Sequence, residues 1–426
     1  MASNYKNKRV SVIGLGYIGL PTAAVFASRG IHVIGVDVNQ RAVDIINQGK
    51  IHIVEPDLDM IVHAATTQGL LRATTVPEPA EAFLIAVPTP FKGDHEPDLA
   101  YIEAACTAIA PVLKQGDLVV LESTSPVGAT EQMAAWLAAA RPDLTFPQQT
   151  GEASDIRIAH CPERVLPGHV IRELVENDRV IGGITPRCSA AAVALYQTFV
   201  QGECIVTNAR TAEMCKLTEN AFRDVNIAFA NELSLICDRL DISVWELIRL
   251  ANRHPRANIL QPGPGVGGHC IAVDPWFIVN RNPDEARLIH AARTVNDGKP
   301  EWVLAKVDEA INARRATRTA GDAPSIGVAV LGLTFKPNID DLRESPALAI
   351  ARNLATRTDV TLHFVEPNIT HLPTGLEGGR LSTLDTALDS CDIVVVLVAH
   401  REFDTLGERL GSQLVIDTVG ITAYRS

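Results

Sequence analysis

The apolar run Val10-Ser-Val-Ile-Gly14 passes directly into Gly14-Leu15-Gly16-Tyr17-Ile18-Gly19, and this junction restricts the fold more than anything else in the chain. A strand that ends in three glycines at this spacing and opens a helix is the first turn of a Rossmann βαβ unit. Gly14 permits the tight turn, Gly16 lets a pyrophosphate approach, and Gly19 lets the helix sit close on the strand. The helix N-terminus then faces the phosphates. Glycines alone can serve packing only. Here the next strand, Ile31–Val36, is followed by Asp37, where an acid binds ribose hydroxyls and repels a 2′-phosphate. The pattern predicts NAD rather than NADP.

Alternation of short apolar runs with helical stretches continues through Phe83–Val87, Leu118–Leu121 and Ile156–Ala159, as a parallel α/β sheet requires. From about residue 206 apolar residues recur at helical spacing and strand signals fade. Arg314–Pro324, rich in Arg, Thr, Ala and Gly, reads as a linker, and strands resume at Gly327–Leu331, Val360–Val365, Asp392–Val398 and Leu414–Ile416. The expected architecture is α/β, with two Rossmann-like doubly wound domains (1–205 and 325–426) joined by a central helical segment (206–313). A chain of 426 residues exceeds the ~250–300 at which single cores stop growing, so several domains are required. No short-period repeat is visible.

With 46% hydrophobic and 21% charged residues the chain can bury large cores, and its net charge of −12 argues against a nucleic-acid binder. Eight scattered cysteines without a Cys-x-x-Cys pair point to a reducing compartment. Neither a signal-peptide pattern nor an apolar run of membrane-spanning length is present, so a cytoplasmic location without membrane association is expected.

The run Gln261-Pro-Gly-Pro-Gly-Val-Gly-Gly-His-Cys270-Ile-Ala-Val-Asp274 places a thiol at the end of a glycine-rich loop, as a nucleophile would be placed. A buried, inert cysteine beside a tight turn is the competing reading. In Thr211–Arg223, Lys216 and Asn220 share a helical face, with Glu213 one turn behind and Arg223 beyond. An ammonium and an amide there could stabilise a developing oxyanion, or form a solvated stripe. Met214, Leu217, Ala221 and Val225 are expected to make the packing face. His160-Cys-Pro-Glu163-Arg164 follows a strand end, as do Ser123-Thr124-Ser-Pro and Val87-Pro88-Thr89-Pro, where α/β proteins place their sites. Glu163 is a candidate general base. After a later strand, Phe335-Lys336-Pro-Asn-Ile-Asp-Asp-Leu-Arg343 offers two cations to an anionic phosphate. No Cys/His spacing resembles a zinc framework, and no metal is expected.

In this order the motifs resemble the UDP-glucose/GDP-mannose dehydrogenase family along essentially the whole chain. Those enzymes oxidise the primary alcohol of a nucleotide sugar to a carboxylate with two NAD+ per sugar. The resemblance implies that Cys270 carries first a thiohemiacetal and then a thioester, that Lys216 and Asn220 stabilise oxyanions, and that Asp274, Glu163 and Thr124 manage protons and water. It implies a cofactor site of Gly14, Gly16, Tyr17, Ile18, Gly19, Asp37, Arg41, Pro88, Thr89, Thr124 and Arg343. It also implies a sugar-nucleotide site of Arg164, Lys216, Asn220, Arg223, Arg256, Gly265, Gly267, His269 and Lys336. The motifs around Asn252–Arg256, Pro262–Phe277 and Pro88–Pro97 make UDP-N-acetyl-D-mannosamine the expected substrate, with UDP-glucose and UDP-N-acetylglucosamine as rivals. The expected setting is cell-surface polysaccharide synthesis such as enterobacterial common antigen, and the expected state is a homodimer or higher homo-oligomer. One departure stands out: Val419 occupies about the place of a basic residue that the family usually has, so either another cation, Arg425 or Arg401, substitutes or nucleotide affinity is reduced. A two-electron NAD-dependent hydroxyacid dehydrogenase or a non-catalytic NAD-sensing scaffold would share the first βαβ unit but would not need Cys270.

Overall fold

The structure is a computed structural model and describes residues 8–53, 55–93, 95–165, 168–268, 270–317 and 325–423. The chain forms two compact units, Met1–Glu219 and Asn220–Ser426. Their division falls inside the 31-residue helix Ala209–Arg239.

The first unit is built on β1 (Arg9–Ile13), β2 (His32–Val36), β3 (Leu71–Thr74), β4 (Ala82–Ile85), the small hairpin β5 (Phe91–Lys92) and β6 (Glu96–Pro97), β7 (Leu118–Leu121), β8 (Arg157–His160), β9 (Arg179–Gly183) and β10 (Cys204–Asn208). Eight of these make one sheet in the order β10-β9-β8-β7-β4-β1-β2-β3. Side chains alternate between its two faces. Val10, Val12, Leu84 and Val120 join the core formed with the helix Gly19–Ser28, while Ile13, Phe83, Ile85, Val119 and Leu121 join the core on the opposite face. Neighbours pair in parallel except β8 and β9, which are antiparallel with His160 opposite Gly182 and Ala159 opposite Gly183. An all-parallel sheet was the expectation, and β9 corrects it. β10 also runs to Asn208, past the expected start of the helical segment.

The second unit contains β11 (Ile326–Leu331), β12 (Val360–Val365), β13 (Gly379–Leu381), β14 (Ile393–Val396) and β15 (Leu414–Asp417), all parallel in the order β13-β12-β11-β14-β15. The helix Arg287–Thr317 buries Val303, Val307 and Ile311, one per turn, in a core with Val328, Val330 and Val395. That helix overruns the expected linker. Arg314–Thr317 belong to its last turn, where Arg314 donates to the Ser412 carbonyl and Arg315 pairs with Asp359; residues 318–324 lie outside the described residues. No helix among the described residues is long and apolar enough to cross a membrane.

Candidate functional site

In the first unit the glycine turn is built as expected. Gly14 has φ 90° and donates to the Val36 carbonyl, and a Cβ on it would meet Ala86 O at 2.6 Å. A Cβ on Gly19 would lie 1.8 Å from Gly14 O, so only glycine fits that packing. At Gly16 a Cβ would meet nothing within 4 Å, leaving open the side from which a pyrophosphate approaches. Asp37 is fixed at the end of β2, its two oxygens accepting at 2.9 Å from Leu15 N–H and Asn39 N–H. These residues fit a bound dinucleotide. Within the turn Tyr17 is exposed and Ile18 half-buried, and Arg41, on the helix Gln40–Asn47, is exposed.

The loops after β4 and β7 are stitched together. Thr89 Oγ1 donates to the Thr124 carbonyl, and Ser123 Oγ donates to the Val87 carbonyl at 2.6 Å. Pro88, exposed, lies between these two ties. Glu163, three residues beyond β8, is only 6% exposed. Its Oε1 accepts from Arg164 N–H at 2.6 Å and its Oε2 from Arg179 Nη1 at 3.0 Å. Arg164 itself turns away to Glu219, 2.6 Å distant. Near this pair Tyr196 OH donates to Glu122 Oε1 at 2.5 Å. Burial, and next the charge of Glu163, push the Glu122 carboxyl up to about 7. Burial also drives His160 down to about 3 and lifts the Cys161 thiol to about 12, so neither is ionised at neutral pH.

The helix Ala209–Arg239 differs from its expected pattern. Met214 is exposed rather than packed and Val225 only half-buried, while Glu213 is 1% exposed and lies on the buried side with Leu217 and Ala221. Glu213 is drawn in because it accepts from Gly128 N–H, Thr130 N–H and Thr130 Oγ1 at the start of the helix Ala129–Ala140. Lys216 is half-buried and has no ion-pair partner among the described residues.

In the second unit Asn220 Nδ2 donates to Asp274 Oδ2 at 2.5 Å, and both residues are buried. Asp274 starts the helix Asp274–Arg281, where the helix dipole favours a carboxylate. Cys270 is exposed, and its carbonyl accepts from Val273 N–H and Asp274 N–H, which wraps one turn between the thiol and the acid. The thiol is therefore not the buried, inert cysteine of the competing reading.

The glycines before Cys270 admit a close neighbour, but that neighbour is the chain itself. A Cβ on Gly265 would meet Pro346 at 2.9 Å, one on Gly267 would meet Glu344 O at 2.4 Å, and one on Gly268 would meet Phe335 at 2.9 Å. At those positions the close approach that glycine permits is made by the segment Phe335–Pro346 of the chain itself. His269 lies outside the described residues.

Lys336 is half-buried in the loop after β11, and Arg343 grips Asp341 through Nε and Nη2. Arg223 and Arg256 are exposed. Val419 packs against the core around Phe403, which accounts for an apolar residue there. Of the two candidate substitutes, Arg425 lies outside the described residues, while Arg401 N–H donates to Asn338 Oδ1 and so joins the loop that carries Lys336.

Residue-by-residue reading missed Arg179, Glu122 and Tyr196. The available signal was an arginine heading the apolar strand Arg179-Val-Ile-Gly-Gly183, where a cation is buried only with a partner.

Residues 8–200, 210–298 and 329–424 match, in order, the NAD-binding, central and UDP-binding domains of the UDP-glucose/GDP-mannose dehydrogenase family. An NDP-N-acetyl-D-galactosaminuronic acid dehydrogenase of Ralstonia nicotianae is 66% identical over 97% of this chain and 96% of that protein. A UDP-N-acetyl-D-mannosamine dehydrogenase of Salmonella typhi is also 66% identical, over 97% of this chain and 98% of that protein. The solved UDP-D-ManNAc dehydrogenase of Pyrococcus horikoshii superposes with a TM-score of 0.85 at 37% identity, covering 97% of this chain and 96% of that one.

Proposed function

The chain belongs to the UDP-glucose/GDP-mannose dehydrogenase family, and from that premise we propose that it oxidises UDP-N-acetyl-D-mannosamine to UDP-N-acetyl-D-mannosaminuronic acid. NAD dependence and nucleotide-sugar dehydrogenase activity follow from the family itself. NAD held by the Gly14–Gly19 turn, Asp37, Thr89 and Thr124 supplies the hydride acceptor, used twice per sugar.

In this reading the Cys270 thiolate adds to the aldehyde carbon, and the resulting thiohemiacetal is again an alcohol from which hydride can leave. Lys216 and Asn220 stabilise the oxygen anions, while Asp274 orients the Asn220 amide through their hydrogen bond. Glu163 and Thr124 manage the water that cleaves the thioester. The observation that carries the assignment is the exposed thiol one helical turn from a buried Asn–Asp pair. Lys336, Arg164, Arg223, Arg256 and the backbone at Gly265 and Gly267 hold the sugar nucleotide, with Arg401 supplying the cation that Val419 does not. Arg343 and Arg41 complete the cofactor site. The three matched segments act as cofactor, helical and UDP domains, and the enzyme works in the cytoplasm.

Phe222, Phe229 and Ile236, exposed at seven-residue intervals on one helix, support a homodimer formed along that seam.

A panel of UDP-N-acetylmannosamine, UDP-N-acetylgalactosamine, UDP-N-acetylglucosamine and UDP-glucose tests the substrate. The mannosamine sugar should give the highest kcat/KM and two NADH per sugar consumed. Preference for the galactosamine sugar, which the Ralstonia relative makes the second reading, would replace the assignment. Cys270→Ala should bind NAD and sugar nucleotide yet form no uronic acid; full turnover by that variant would refute the covalent route.

A further inference from the structure

Glu163 and Arg179 form an ion pair that is almost dry, with the side chains 7% and 2% exposed. The pair arises from the one irregularity of the first sheet. Because β9 runs antiparallel to β8 with His160 opposite Gly182, continuing that ladder three residues places Glu163 opposite Arg179. A parallel β9 would have carried the arginine to the other end of the sheet.

The guanidinium is itself held. Its Nη2 donates to the Leu174 carbonyl at 3.4 Å, and its Cζ lies 5.6 Å and 5.9 Å from the ring centres of Tyr196 and Phe199. Two buried carboxylates, Glu163 and Glu122, share this one cation, and the hydrogen bond goes to Glu163 alone. Glu122 instead accepts from Tyr196, and its Oε2 has no partner among the described residues. A dry ion pair is no more stabilising than well-packed apolar side chains would be. What it does provide is a carboxylate fixed at both oxygens, by the Arg164 N–H and the Arg179 guanidinium.

We propose that Arg179 is the positioning residue for Glu163 in the hydrolysis of the Cys270 thioester. This rests on the role given to Glu163 above. In that step a water oxygen bonds to the acyl carbon, the carbon–sulfur bond breaks and Cys270 leaves as thiolate, while Glu163 takes the water proton. Arg179 touches neither water nor acyl group. It keeps Glu163 aimed, and the Arg164 N–H holds the other oxygen.

The test compares Arg179→Lys, Arg179→Gln and Glu163→Gln in the full-length enzyme, with UDP-N-acetylmannosamine and NAD as substrates. Lysine keeps the charge but not the planar fork. For both Arg179 variants kcat should fall about 10- to 100-fold with the KM values little changed, because a small misplacement of a catalytic group costs this much. Mass spectrometry during turnover should show the acyl adduct accumulating on the Cys270 peptide, after a burst of two NADH per site. A residue that only supports the fold would lower active-enzyme concentration without building up the adduct. If Glu163→Gln accumulates adduct and the Arg179 variants do not, the proposal fails while the role of Glu163 stands. If Glu163→Gln accumulates none, the role of Glu163 fails first. Should neither Arg179 variant fold, the bridge is structural and the proposal is likewise overturned.

Discussion

Glu122 shows how a single buried carboxyl turns burial into a pH dependence. It is 1% exposed, and burial with the charge of Glu163 lifts it to about 7 from an ordinary value of 4.5. The folded state therefore binds a proton that the unfolded chain has released, and the associated stability is complete below pH 4.5 and lost as pH rises through about 7. That difference amounts to about 3 kcal/mol at most. Glu122→Gln stays neutral at every pH and can still accept from Tyr196 OH. In urea unfolding across pH, the variant should lack this component, so wild type and variant diverge between the two values and run parallel above them. Curves parallel throughout would place the shared charge elsewhere. Nothing local in the sequence marks Glu122. Its partner Tyr196 lies 74 residues away, and only the folded sheet brings them together.

At the scale of elements, chemistry was more legible than packing. The glycine turn with Asp37 could be read because the fold imposes its requirements on adjacent residues. The four-residue spacings of Cys270 with Asp274 and of Lys216 with Asn220 are likewise local, whereas the exposure of Cys270 is settled only by the fold. The buried side of the helix Ala209–Arg239 was misread because hydrophobicity is a poor guide where polar residues find partners. Asp224 meets Arg293 at 2.6 Å and Asn231 meets Asn296 at 2.9 Å, so the interior accepts them. The short strands β3, β10 and β13 and the antiparallel β9 escaped notice because their pairing is set by distant neighbours. In the loop before Cys270 the need for glycine is legible, but the segment that crowds it is not, because Glu344 and Pro346 lie far along the chain. Gly267→Ala would press a methyl group against Glu344 O and Pro346. It should cost about 1–3 kcal/mol as overpacking and lower turnover while leaving NAD affinity unchanged. Unaltered denaturation and kinetics would mean that the Phe335–Pro346 segment moves aside at no cost.

Across the whole molecule the two sheets repeat one crossover with different outcomes. Gly14 and Gly332 have φ 90° and 89°, and each donates to the carbonyl of the last residue of the neighbouring strand, Val36 or Val365. Leu15 N–H reaches Asp37, as Leu333 N–H reaches Glu366 at 2.7 Å. In the second unit, however, Thr334 and Lys336 stand where Gly16 and Ile18 stand in the first, and Glu366 is closed off by buried His400 at 3.0 Å. The repeat shows in the sequence as Val10-Ser-Val-Ile-Gly-Leu-Gly-Tyr17 against Val328-Ala-Val-Leu-Gly-Leu-Thr-Phe335, but only the first copy keeps a bare glycine and a reachable acid for a ribose. A feature of the second unit bears on assembly. Phe222 is 69% exposed, Phe229 51% and Ile236 46%. Recurring every seven residues, they form a stripe that drifts only slowly around the helix. A second copy offers the same stripe across a twofold axis, so one surface can satisfy itself. Phe229→Asp, at the middle of the seam, would place two like charges in the apolar contact. Light scattering coupled to size exclusion should give a dimer mass for the wild type and a monomer mass for the variant. NAD binding by the variant should persist, because the glycine turn and Asp37 belong to the other unit. A monomeric wild type, or a variant that remains dimeric, would show that the stripe is not the seam.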